Sequence, residues 1–105
     1  MNEADWKIFK LIKDKAIEKF CDDSLLECSE QINKSGESAH NKYLALYRLV
    51  NERDKQMAQL FDAHSRSKAS MQLMAIRGQG LAEEDLLKQL SQAFLAQTDP
   101  KKHDW

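Results

Sequence analysis

Two cysteines and three histidines are the residues whose chemistry would matter most if they met. Cys21 and Cys28 stand seven apart, and the histidines are His40, His64 and His103. Zinc-binding cysteines are usually separated by two to four residues, and no histidine completes a set near this pair. On one helix the two sulfurs sit about 10 Å apart along the axis, too far for a disulfide within the helix. The expectation is two buried free thiols, no metal and no cofactor.

Acid–base and nucleophilic patterns are equally sparse. Asp62 and His64 are two apart, so a helix points them to different sides. No Glu-x-x-His or His-Glu-x-x-His pattern occurs, and no serine lies in a Gly-x-Ser-x-Gly elbow. Gly78-Gln79-Gly80 follows no strand and precedes no Gly-Lys-Ser/Thr, so it reads as a helix C-cap rather than a phosphate loop. Catalysis is not expected.

Charge is the more informative signal. Over residues 39–77 the cations are Lys42, Arg48, Arg53, Lys55, Arg66, Lys68 and Arg77, against Glu52, Asp54 and Asp62; seven minus three leaves +4. Over residues 22–38, Lys34 stands against Asp22, Asp23, Glu27, Glu30 and Glu37, leaving −4. These segments can neutralise each other within the fold or steer self-association. A second reading takes Arg66, Lys68 and Arg77 as phosphate contacts of a nucleic-acid-associated regulator. No aromatic residue interleaves with that patch, and the net charge of −1 supplies no general attraction to nucleic acid or anionic membrane.

The elements that carry these residues are helical. Glycine (3) and proline (1) are scarce, and valine and threonine occur once each, as Val50 and Thr98. Ala, Leu, Lys, Glu and Gln dominate, and these lose little freedom in a helix. Trp6, Phe9, Ile12, Ala16 and Phe20 repeat at three-and-four spacing, and Cys21, Leu25, Cys28 and Ile32 continue the stripe as it rotates. This predicts a first helix over 3–34. We expect it to be continuous; a capping box of Ser24 with Glu27 marks the alternative, a break near residues 22–24.

Gly36 suits the end of that helix and Ser38 the N-cap of the next. The second helix is predicted over 39–77, with a possible bend at 65–70. One heptad-like set holds Tyr43, Val50, Met57, His64 and Met71. The other holds Ala39, Leu46, Arg53, Leu60, Ser67 and Met74. A third helix is predicted over 82–97, and 100–105 is expected to be a flexible tail ending in Trp105.

The predicted fold is all-α: a long antiparallel hairpin plus a short third C-terminal helix, one domain over 1–99. Folding about Gly36 places Arg53 near Lys19 and Asp22, where it either snorkels to solvent or pairs with Asp22 or Asp23. Leu26, Leu44, Leu49, Leu73 and Ile76 lie off the main seam. Their surplus points to a homodimer with a four-helix core. The candidate dimer or partner interface is Tyr43, Leu46, Val50, Met57, Leu60, His64, Met71 and Met74. Methionines suit adaptable contacts. With no apolar run long enough for a membrane span and no signal-like start, the expectation is a cytoplasmic interaction or regulatory module with a protein partner.

Overall fold

The computed structural model describes residues 1–103, and those residues form helices and turns with no strand among them. The first helix, α1 (Glu3–Ile32), starts where the Asn2 side chain accepts the Asp5 N–H at 2.7 Å. It is continuous through residues 22–24. Ser24 does not cap a new helix: its hydroxyl donates to the Phe20 carbonyl one turn back, at 2.8 Å. At 30 residues, α1 is about 45 Å long.

Gly36 turns the chain with φ +81°, and Ser38 caps α2 (Ala39–Phe61) by accepting the Asn41 N–H at 3.1 Å. Helices α1 and α2 pack antiparallel as the long hairpin predicted.

The second helix does not run to residue 77. It ends at Phe61, four residues before the predicted bend region, and the chain passes through 62–65 and a 3-10 turn (Arg66–Lys68) into α3 (Ala69–Gly78). The reason lies in the carbonyls that a helix end leaves open. The Gln72 amide donates to the Leu60 and Ala63 carbonyls, each at 2.9 Å, and the Lys13 ammonium donates to Ala63 at 2.8 Å. The break redirects α3 back onto α1. Leu73 and Ile76, assigned to leftover surface from sequence, become fully buried.

The third predicted helix is two short ones, α4 (Glu84–Leu87) and α5 (Gln92–Gln97). Ser91 causes the interruption. Its hydroxyl accepts the Phe94 N–H at 3.2 Å, capping α5. Its own N–H and O–H donate to the Asp5 carboxylate at 2.8 and 2.6 Å. Asp5 is only 3% exposed, so this clamp fastens the start of α1 to the start of α5 from inside the fold.

The buried core joins Phe9, Ile12 and Ala16 of α1 to Phe61, to Ala69, Leu73 and Ile76 of α3, and to Leu81, Leu86, Leu87, Leu90 and Phe94. Gly80 (φ +70°) ends α3 as the sequence indicated: the Leu81 N–H returns to the Ile76 carbonyl at 3.1 Å. Pro100–His103 forms a final 3-10 turn, with Pro100 lying over Gly78. Trp105 lies outside the described residues.

The molecule measures 53 × 25 × 23 Å. One end is this packed head. The other is an arm made of the second half of α1 and most of α2.

Replacing Asp5 with alanine removes both charge-assisted bonds to Ser91. The expected loss is about 1.5–3 kcal/mol in a urea titration. A midpoint equal to wild type would show that the clamp does not hold the head.

Candidate interaction surface

The arm has an inner seam and an open face. No residue from Ile17 to Leu60 is fully buried. The seam starts at the head, where Phe20 meets Phe61 edge-on with ring centroids 6.0 Å apart. Farther out, Arg53 grips Glu27 through two parallel bonds, Nε to Oε1 at 3.1 Å and Nη2 to Oε2 at 2.6 Å. It also donates to Gln56 at 3.2 Å. Near the tip, the Lys42 ammonium reaches the Ile32 carbonyl at 3.0 Å.

The partner of Arg53 is therefore Glu27, not Asp22 or Asp23. Folding about Gly36 sets Lys19 opposite Arg53; Glu27 is eight residues, more than two turns, farther toward the tip.

The Arg53 bond holds the Glu27 carboxyl below the usual carboxylate range, with partial burial opposing it; the same bond raises Arg53. A depressed carboxyl adds stability above its unfolded value and loses it as pH falls through the folded one. The Glu27 side chain is 41% exposed, so water screens much of the effect.

Seven-residue spacing puts Leu46 and Leu60 on the same side of α2 as Arg53, facing α1, and both are half-buried. A quarter-turn around α2, Tyr43, Tyr47, Val50, Asp54 and Met57 form a second stripe at four-three-four-three spacing. On α1, Cys21, Leu25, Cys28 and Ile32 do the same. The two stripes open on one face. Phe20, Cys21, Leu25, Cys28, Val50, Asp54 and Met57 line a single groove of about 350 Å³ there. Leu25 (66%), Tyr43 (68%) and Tyr47 (64%) are largely exposed, and Ile32 and Val50 are each more than half exposed. Asp54 is the only carboxylate in either stripe.

The eight residues nominated for an interface divide accordingly. Tyr43, Val50 and Met57 share the open face, and Leu46 and Leu60 belong to the seam. His64, Met71 and Met74 fall beyond the helix break, so they do not continue the stripe. His64 lies in the connection, its ring 5.5 Å from Trp6 and its Nδ1 3.4 Å from the Lys13 ammonium. Met71 is exposed on α3, and Met74 is buried in the head. The sequence reading left Cys21, Leu25, Cys28, Ile32 and Tyr47 out of the interface. Cys21 and Cys28 are free thiols.

The three nominated phosphate contacts do not converge. Arg66 pairs with Glu3 and lies over the Trp6 ring, 5.4 Å from its centroid. Arg77 points inward, donating to the Leu95 carbonyl at 2.8 Å and to Thr98 Oγ1 at 2.9 Å. Lys68 is exposed on the 3-10 turn.

Two pH-linked outcomes follow from these groups. Relative to Glu27→Gln, wild type is more stable at pH 7 by no more than about 1 kcal/mol, and in urea titrations that margin shrinks as pH falls below the usual carboxylate range. Burial pushes the Lys13 amine below the ordinary lysine value, with Asp14 and Asp62 partly offsetting it. Its contribution to stability therefore rises as pH climbs from the folded value toward 10.5. Lys13→Met leaves Ala63 its bond from Gln72, so unfolding at pH 7 shows unchanged or greater stability. Gln72→Leu strips the Leu60 carbonyl of its side-chain donor and costs about 1–3 kcal/mol. The reverse ranking would remove Gln72 as the main cap. Comparison of the chain with family models, with curated proteins and with solved structures finds no match.

Proposed function

We propose that this chain is a non-catalytic, cytoplasmic protein–protein interaction module that acts as a self-associating helical bundle through its arm. The observation that carries this reading is the open face. Five large apolar side chains (Leu25, Ile32, Tyr43, Tyr47 and Val50) are more than half exposed along two adjacent helical stripes. Single exposed leucines are ordinary; two parallel stripes flanking one groove are a docking surface.

The charge change along α1 supports the same surface. At the helical phase of the stripe, the head half of α1 carries Lys7, Leu11, Asp14 and Glu18, three of the four charged. The arm half carries Cys21, Leu25, Cys28 and Ile32. The face turns apolar where the head ceases to cover the hairpin.

Magnitudes are sufficient for reversible pairing. A large aliphatic side chain contributes roughly 1.5–3 kcal/mol when fully buried. Two copies supply ten exposed apolar side chains, set against about 4–15 kcal/mol of lost freedom on association. A two-fold pairing of such faces makes a four-helix bundle, which gives each stripe neighbours on two sides.

Sedimentation equilibrium over about 1–100 μM tests the reading. Wild type is expected to approach twice its 12.1 kDa mass. Leu25→Glu and Val50→Glu are expected to stay monomeric with unchanged helical circular dichroism. A wild-type monomer across the range would overturn the proposal.

A further inference from the structure

We infer, on the basis of the self-association proposed above, that Asp54 limits its strength: when two open faces meet, each copy covers a carboxylate that no cation compensates.

Asp54 stands where an apolar residue would continue the face. Seven-residue spacing stacks it between Tyr47 and Phe61 on one side of α2. Tyr47 is largely exposed, and Phe61 is buried in the core of the head. Val50 and Met57, one turn to either side, line the same groove as Asp54. A second copy that covers Tyr47 and Val50 therefore covers Asp54 as well. A single polar residue on an otherwise apolar helical seam lowers the stability of an assembly and restricts what can pair with it.

Nothing on the face neutralises this charge. Asp54 joins no ion pair among the described residues. Its neighbours a turn away on α2 are Val50, Asn51, Met57 and Ala58, none of them a cation. The facing wall on α1 offers Cys21, Ser24, Leu25 and Cys28. Arg53 borders the groove, but its guanidinium is held by Glu27 and Gln56. Of the other cations on α2, Lys42 binds the Ile32 carbonyl, and Arg48 and Lys55 lie on the side turned away from α1. The two stripes of a second copy hold no cation either, whichever way that copy is laid. Two carboxylates thus lose water on pairing and gain no partner of opposite charge, which opposes association.

Sedimentation equilibrium of the 105-residue chain tests this, with Asp54→Asn set beside Glu30→Gln. Glu30 is an exposed carboxylate on the opposite side of α1 from the stripe, so its variant makes the same charge change off the face. D54N is expected to tighten the dimer by about tenfold or more, and E30Q to leave it unchanged, with the same helical circular dichroism as wild type. Asparagine adds no apolar surface, so the gain reports the removed charge. Unchanged or weaker association of D54N would sink the inference and leave self-association standing, because Asp54 then stays in water or meets a donor on the second copy. Equal tightening by E30Q would sink it as well, as an effect of net charge. A wild-type monomer at every concentration would remove the self-association itself.

Discussion

The structure turns on how the chain satisfies two carbonyls. Leu60 and Ala63 lie where α2 stops, and an unpaired carbonyl inside a protein is expensive. Gln72 comes forward from α3 and Lys13 comes across from α1 to serve them. With those groups satisfied, the chain can turn at 62–65 and return α3 to the hairpin. Leu73 and Ile76 then close over Phe9 and Ile12. Had the helix continued, Leu73 and Ile76 would have fallen on the side of it turned away from α1. The division of the molecule into head and arm follows from this one local solution.

Charged side chains serve the fold as positional clamps. Asp5 accepts two bonds from Ser91, Arg77 binds the end of α5 through Leu95 and Thr98, and Arg53 joins the two arm helices through Glu27. Each joins segments far apart in sequence with directional bonds, a precision that apolar contact alone does not supply. This use of Arg77 also explains why a basic cluster in the sequence is no cluster in space: its Nη1 is held by Leu95 and Thr98 while Arg66 is held by Glu3.

Features with local causes were readable from sequence. The all-helical composition, the length of α1, the turn at Gly36, the Ser38 cap and the Gly80 cap each depend on residues within a few positions. The breaks after Phe61 and before Ser91 were not readable, because half their cause lies elsewhere in the chain. Lys13 is fifty residues from Ala63, and Asp5 is eighty-six from Ser91. Heptad counting ran through the first break and carried His64, Met71 and Met74 into an interface they do not share. On α1 the rotating stripe held a usable signal. Its head half faces inward, whereas Cys21, Leu25, Cys28 and Ile32 occupy a phase that earlier in the same helix holds Lys7, Leu11, Asp14 and Glu18, three of them charged. Reading that change of character at constant phase would have found the second half of the open face.

The absence of any fully buried residue between Ile17 and Leu60 has a mechanical consequence. The head has a three-dimensional core. The arm is a two-helix strip whose backbone order comes from its base and from one line of side chains, so its outer turns open at a small fraction of the global free energy. In the pairing proposed above, the second copy would both dock and order the strip beneath it. Part of the contact energy goes into that ordering, which keeps the resulting complex easy to dissociate.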